Sequence, residues 1–584
     1  MAEDRGDPVV ARLLRYIKPF APMVAAVIIL VFLQSLADLN LPTLMADIVN
    51  EGIAAGDSNF IWRTGAIMLT VALGGAACAV VSGYLSARIS AGFGRDLRSR
   101  VFAHVESFSL HEFDRIGTAS LITRTTNDIT QIQMVVLVML RMVVMAPMMC
   151  VGGIVMAVIR NGRLSLVFAG ALPVLAVIIA AAITRGIPLF DAMQKKIDRL
   201  NLVVRESLTG VRVIRAFNRS DSEAARFDEA NRDLTNTAIR VNRILAGLMP
   251  VTMLVMNLTT IAIIWVGSRF VDAGSLQVGD MMAFIQYAMQ IMWSLVMVSS
   301  IFVMLPRASA SANRVNEVLH SVPGIVDTDN PETAGTVNGR LEFRDVTFRY
   351  PGAEEPALNG ISFEANPGEV TAITGKTGSG KSTLMNLIPR FYDVDDGEIL
   401  LGGVNIRRMK HEDLRARIGM VPQKAVLFTG TIADNIRFGK EDASDGEVRR
   451  AAEIAQAVEF VDEMEDGFDS AIARGGTNVS GGQKQRLSIA RALVRRPDIY
   501  VFDDSFSALD FKTDSRLRAG LKAETRDATV LIVAQRVSTI ADADRIIVLD
   551  EGRVVGNGRH KDLMRTCDVY RQIVSSQLSE EETA

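Results

Sequence analysis

Gly375-Lys376-Thr377-Gly378-Ser379-Gly380-Lys381-Ser382 follows the apolar run Val370 to Ile373 and precedes a helical pattern from Thr383 to Ile388. Strand, glycine-rich turn and helix start, in that order, make a phosphate cradle of the form G-x-x-x-x-G-K-[ST]. Three glycines let the backbone bend so that successive N–H groups face one anion, and the helix N-terminus adds its partial positive charge. In this reading Gly375, Thr377, Gly378, Ser379, Gly380 and Thr383 shape the cradle. Lys381 reaches the outer phosphates, and the Ser382 hydroxyl faces Mg2+.

A chain of 584 residues exceeds what one hydrophobic core holds, so at least two domains are expected. Apolar residues make up 49% and crowd the first half, whereas charged residues dominate after about residue 310. A membrane half and a soluble half follow. The net charge of -3 provides no basic field for nucleic acid, which is excluded as a partner. Cys78, Cys150 and Cys567 form neither a disulfide framework nor a metal-ligand spacing. The acidic start, Met1 to Pro8, lacks the basic region of a cleavable signal peptide.

Val9 to Phe20 sets Arg12, Arg15 and Lys18 among apolar residues, the pattern of a short interfacial helix on the cytoplasmic lipid surface. Six apolar runs follow, near 22–45, 63–86, 134–159, 164–186, 246–270 and 279–305, each long enough to cross a hydrocarbon core of roughly 30 Å. Short links alternate with two long ones, about 87–133 and 187–245, whose helical periodicity carries the spans into the cytosol. An even number of spans returns the chain to its starting side. Arg160 and Arg163, in a short outside link, run against the positive-inside rule, but the long links outweigh them.

Within the spans, Asp38 is read either as part of an outer gate or as an interfacial residue, and Arg141 as a snorkelling cation or, less readily, a substrate contact. The third and sixth spans are rich in methionine, with Gln286, Gln290 and Trp293 in the sixth. That composition suits soft apolar ligands and ordinary helix packing alike. Beyond Leu305 a polar helix leads to a Pro-, Gly- and Asp-containing linker. Strands are expected near 341–349, 370–374, 418–421, 499–503 and 530–533, alternating with helices. Asp393 to Gly397 lacks the twelfth-position glutamate of a calcium loop and reads as a turn. The expected organisation is an interfacial helix (1–20), an α-helical membrane domain of six transmembrane helices (21–320), a linker (321–339) and a cytosolic α/β P-loop ATPase domain (340–584).

Downstream, the strand Ile499 to Asp503 ends in a carboxylate suited to the Mg2+ shell. Between it and the cradle lies Ser480-Gly481-Gly482-Gln483, and with it the chain resembles the ABC transporters, whose signature this is. The order of motifs agrees: Tyr350 as the adenine-stacking aromatic, the cradle, Gln423 in the Q-loop, the signature, Asp503, and a D-loop ending in Asp510. With six spans ahead of it, the chain looks like an exporter-type half-transporter in the cytoplasmic membrane. The resemblance implies ATP and Mg2+ as cofactors, with Ser382, Gln423 and Asp503 around the metal. It also implies a dimer in which each ATP lies between one cradle and the other subunit's signature. Regions near Ile116 to Thr123 and Ser207 to Ala216 match the family's coupling helices.

Three positions depart from the family pattern. Asp504 stands where most active members have the glutamate that orients the attacking water, Gln535 where they have the switch histidine, and Arg474 where exporters commonly have glutamate. The first two fall beside this chain's own cradle while the signature is intact. The resemblance therefore implies a degenerate-site subunit of a heterodimeric, multidrug-type exporter. Asp504, Gln535 and Gln423 would be its catalytic positions, a second, non-identical half-transporter its partner, and a hydrophobic or amphipathic compound in the lipid its substrate. An ATP-gated regulatory or channel-like subunit and an exporter-type fold running as an importer are the alternatives.

Overall fold

The computed structural model describes residues 15–328, 330–332 and 339–581. Of the expected interfacial helix, positions up to 14 lie outside the described residues, and Arg15–Phe20 is a 3-10 turn. Two compact units emerge: Met1–Glu106 with Thr118–Ser321, and Ser107–Gly117 with Val322–Ala584.

Among the described residues the first unit holds six helices long and apolar enough to cross a membrane: Arg15–Ile53, Ser58–Glu106, Thr118–Arg160, Leu166–Thr209, Ser220–Asp272 and Val278–His320. The 53 residues of the fifth span about 80 Å at helical rise, far more than a hydrocarbon core, so the helix extends beyond the membrane as its charged half requires. In these extensions the fourth and fifth helices are tied by Lys196 to Asp233 (2.5 Å) and Arg226 to Glu206 (2.6 Å). Arg160 makes ion pairs with both Asp47 (2.9 Å) and Asp280 (2.8 Å), tying together ends of the first, third and sixth spans. Nearby, Thr43 and Tyr287 share a hydroxyl hydrogen bond (2.6 Å), and Asn50 accepts from the Gly279 N–H (2.7 Å). Asp38 meets the sixth span through its backbone carbonyl, which accepts from Gln290 (3.0 Å).

The second unit is built on two main sheets. The smaller has the order β2 (Leu358–Ala365), β1 (Leu341–Phe348), β4 (Asp396–Leu401) and β5 (Val404–Asn405), all antiparallel. The larger runs β12 (Arg553–Gly558), β11 (Arg545–Asp550), β3 (Val370–Gly375), β10 (Thr529–Val533), β9 (Ile499–Asp503) and β6 (Ile418–Val421). It is parallel except at the β12 edge. A small ribbon pairs β7 (Gly430–Thr431) with β8 (Ala471–Ile472).

Alternation along the central strands feeds two cores, one on each face. Ala372, Phe502 and Ile532 pack with Leu487 and Ile489 of the helix Gly481–Val494 on one side. Ile373, Val501 and Leu531 pack on the other with Leu384, Leu387 and the smaller sheet's Phe343 and Phe363. The linker is strapped to this unit: Asp327 accepts from the His411 N–H (2.8 Å), and Glu332 pairs with Arg408 (3.0 Å). Asp393 pairs with Arg390 (2.8 Å), and the expected turn at Asp393 to Gly397 reaches only to Asp395, because Asp396 and Gly397 open β4. The short helix Leu110–Ile116, upstream of the expected Ile116 to Thr123, belongs with this unit; Gly117 (φ +80) separates it from Thr118–Thr123.

Candidate functional site

Register decides what meets at the C-terminal ends of the parallel strands. Val533 lies beside Ile373 on one flank and Asp503 on the other, so the cradle, the carboxylate pair Asp503 and Asp504, and the segment leading to Gln535 leave the sheet together. The Asp504 N–H donates to the Val533 carbonyl (2.9 Å), carrying the contact past the end of β9. Asp504 has φ +47, a left-handed conformation that aspartate tolerates better than most side chains.

The cradle geometry depends on glycine at both its ends. A Cβ on Gly375 (φ +152) would come 2.1 Å from the Leu549 carbonyl oxygen, and one on Gly380 (φ +97) 2.6 Å from Leu358 Cδ2. Gly380 caps the helix Lys381–Leu387. The Lys381 ammonium donates to the carbonyls of Gly375 (2.7 Å) and Lys376 (2.6 Å) and approaches Ser379 Oγ (3.4 Å). Ser382 Oγ donates to Asp503 Oδ1 at 3.4 Å. Burial lowers the Lys381 pKa and raises that of Asp503. Each is pushed toward its neutral form, and a polyanion beside the lysine and a cation beside the aspartate would reverse both shifts.

Gln423 donates from Nε2 to Asp504 Oδ2 at 3.4 Å, bringing together two positions singled out in the sequence. Tyr350 sits edge-on to Phe348 (5.0 Å) and Tyr392 (5.5 Å), with its hydroxyl 3.0 Å from Thr383 Oγ1. Thr377 is exposed on the cradle.

The signature forms its own capping box. Ser480 caps the helix Gly481–Val494, its hydroxyl accepting from the Gln483 N–H (3.3 Å), while Gln483 Oε1 accepts from the Ser480 N–H (2.8 Å). Gly482 lies so close to the D-loop that a Cβ would be 3.1 Å from the Ala508 carbonyl oxygen. Asp510 caps the helix Phe511–Glu524 through the Thr513 N–H (2.9 Å), and that bond lowers its pKa. Arg474 is exposed. Among the described residues no three His, Cys, Asp or Glu side chains gather as a metal site, so a cation here would rely on Ser382, Asp503, Gln423 and the phosphates themselves.

Sequence reasoning missed Tyr392, which touches Tyr350 and donates to Asp114 (2.9 Å), and Asp550, 3.9 Å from Lys376. Neither belongs to a local pattern.

Six membrane-spanning helices joined to an α/β ATPase domain with a phosphate cradle and a Ser-Gly-Gly-Gln helix cap define an ATP-driven membrane protein. Comparison makes the class specific. The model of the ABC transporter transmembrane region matches residues 24–295, and that of the ABC transporter family matches 358–507. An uncharacterised ABC transporter ATP-binding protein of Mycobacterium tuberculosis is 44% identical over 572 residues, covering 97% of this chain and 98% of its own length. An ATP-dependent lipid A-core flippase of Thiobacillus denitrificans is 33% identical over 97% of this chain and 98% of its own. The structure of a bacterial Atm1-family ABC exporter with ATP bound superposes with a TM-score of 0.80, at 27% identity, over 95% of this chain and 98% of that one.

The chain belongs to the ABC transporters. More particularly, it is an exporter-type half-transporter, a multipass membrane protein with a cytosolic nucleotide-binding domain in which ATP hydrolysis is coupled to transport.

Proposed function

We propose that this chain is one half of a heterodimeric exporter of hydrophobic or amphipathic compounds, with slow ATP turnover at its own cradle. Its signature completes a competent site on a non-identical partner that carries glutamate and histidine at the positions of Asp504 and Gln535. The observation that carries this reading is the strand register, in which Val533 pairs with both Ile373 and Asp503, so that the segments leading to Asp504 and Gln535 leave the sheet next to the one leading into the cradle. Both fall short of the family's chemistry there. Asp504 is one methylene shorter than glutamate, and a displacement of about 1 Å in a catalytic group costs about a hundredfold. Gln535 can hydrogen-bond to a phosphate oxygen but cannot carry charge. No histidine of this domain substitutes, because His411 is engaged with Asp327 and His560 with Tyr570.

At this site Tyr350 would offer its ring to the base, the cradle N–H groups and Lys381 would hold the phosphates, and Ser382, Asp503 and Gln423 would hold Mg2+. The metal, when bound, neutralises phosphate charge. Gln423 orients the carboxylate of Asp504 toward water. The shifts of Lys381 and Asp503 support this assignment, since an ATP–Mg2+ pair supplies both missing counter-charges. The substrate class is supported by exposed Met282, Met289 and Trp293 on the sixth span and by relatives named as ATP-dependent lipid A-core flippases.

The test is ATPase turnover in lipid, of the chain alone and mixed with the candidate partner, with Asp504→Glu plus Gln535→His made in parallel. The expected result is near-silence alone, activity in the mixture, and loss of that activity when the partner's glutamate is removed. Brisk hydrolysis by the chain alone would overturn the degenerate-site reading.

A further inference from the structure

Between the end of β10 at Val533 and the short helix Val537–Ile540, the switch segment carries Gln535 and Arg536. Arg536, at the N-cap of that helix, makes no side-chain cap, so the Val537 N–H needs a partner from elsewhere. The partner is Gln577, on the C-terminal helix Asp568–Glu581. Its Oε1 accepts from the Val537 N–H at 2.7 Å, and its Nε2 donates to the Gln535 carbonyl at 2.6 Å. One side-chain amide thus satisfies a donor and an acceptor two residues apart, as a neighbouring strand would.

The C-terminal helix is anchored so that it delivers this group. Tyr570 and Val574 are buried (0% and 4% exposed), and Gln577 follows on the same face. The helix packs against β3, β11 and Val537–Ile540.

We infer that Gln577 is a positioning residue for the switch: by fixing the backbone at Gln535 and Val537 it sets the direction of the Gln535 side chain, and through it the rate of γ-phosphate hydrolysis at this chain's own cradle. The inference rests on the reading that Gln535 faces that phosphate. Gln577 acts on the site only through the backbone of Gln535 and Val537, so its removal affects the chemical step rather than ATP affinity. Helix packing alone would require only the length of the side chain. Positioning requires a donor and an acceptor together.

Two substitutions separate these roles. Gln577→Met keeps the length and loses both hydrogen bonds. Gln577→Glu as a carboxylate keeps the acceptor for Val537 but faces the Gln535 carbonyl without a donor; when protonated it restores both. Arg536, the charged residue between the two contacts, is present in every variant. The experiment is single-turnover ATP hydrolysis in lipid nanodiscs holding the full-length chain and its partner, with the partner's glutamate removed so that only the slow turnover at this chain's cradle is read, and with each rate divided by the wild-type rate at the same pH. Gln577→Met is expected to be about tenfold slow at both about pH 8 and about pH 5, with the ATP Kd within about twofold of wild type. Gln577→Glu is expected to match Gln577→Met at the higher pH and to recover to within about threefold of wild type at the lower. Wild-type rates for Gln577→Met, or the same relative rate for the two variants at both pH values, would overturn the inference. Gln535→Ala separates the two readings. If it is slow while the Gln577 variants are not, only the present inference fails; if it hydrolyses at the wild-type rate, the reading of Gln535 fails and this inference with it.

Discussion

Tyr392 donates from its phenol to Asp114 Oδ2 across 2.9 Å, joining the short helix Leu110–Ile116 to the ring cluster around Tyr350. Burial, then the hydrogen bond to Asp114, raise the tyrosine's pKa, so it stays a donor at any physiological pH. Glu112 secures the same helix by a capping box with Ser109 and accepts from the Gly324 N–H (3.3 Å). Tyr392→Phe keeps the ring contacts and removes only the donor. Anchoring of about 1 kcal/mol should be lost, so amides of Leu110–Ile116 should exchange with solvent about fivefold faster. Hydrogen–deuterium exchange by mass spectrometry measures this, and unchanged exchange would show that the bond anchors nothing.

Arg160 is shared between Asp47 and Asp280, and its own side chain is 23% exposed. Removing the cation leaves two carboxylates facing each other, the costlier way to break a partly buried pair. Arg160→Met should therefore destabilise the detergent-solubilised chain by about 1–3 kcal/mol, discounted from the fully buried case for solvent screening. Asp280→Asn in the Arg160→Met background should restore part of the loss. Additive losses in the double variant, followed by thermal melting, would rule out the charge account.

Local pattern made much of the molecule legible. The six spans announce themselves as apolar runs, the cradle by its glycine and lysine spacing, and β3, β9 and β10 by short apolar stretches bounded by turn residues. β2 escaped because Asn359 and Gly360 interrupt its alternation; pairing with β1 makes it a strand. β12, with Gly556 and Gly558, is held by β11 at the sheet edge. Arg160 looked like an exception to charge topology because its two acidic partners lie 113 and 120 residues away. The methionines divide in two. Met292 and Met256 are buried with Leu175 as ordinary packing, whereas Met282 and Met289 are exposed. Tyr392 and Gln577 act on partners 278 and 42 residues distant, and no local spacing encodes such contacts.

Glycine contacts in the cradle predict a graded response. At Gly380 a Cβ would stand 2.6 Å from Leu358 Cδ2 and 2.8 Å from the Ala357 carbonyl oxygen, with φ at +97. At Gly378 φ is +85 but nothing lies within 4 Å. Gly380→Ala must shift backbone as well as side chain and should lower ATP affinity by about a hundredfold, whereas Gly378→Ala meets only the φ penalty of about 1–2 kcal/mol. Equilibrium binding of a fluorescent ATP analogue ranks the two, and equal losses would mean that neighbouring contacts do not shape the cradle.

His411 gives the linker strap a pH dependence whose sign follows from its surroundings. Its Nδ1 lies 2.8 Å from Asp327, its Nε2 is buried without a partner, and burial lowers its pKa. Asp327 pulls the other way, while the cations Arg415 and Arg390 reinforce burial. The neutral imidazole, donating from Nδ1, is therefore the form that the fold prefers. In the unfolded chain the same group takes up its proton near its ordinary value of about 6.5. As pH falls through that value the unfolded state binds more protons than the folded one, so this residue's contribution is full above about pH 6.5 and is lost progressively toward its lower folded value. His411→Gln retains a donor for Asp327 and cannot titrate. Between about pH 7.5 and about pH 5.5 the wild-type melting temperature should therefore fall further than that of His411→Gln. Parallel pH profiles for the two proteins would mean that His411 is equally protonated in both states and that Asp327, not burial, governs it.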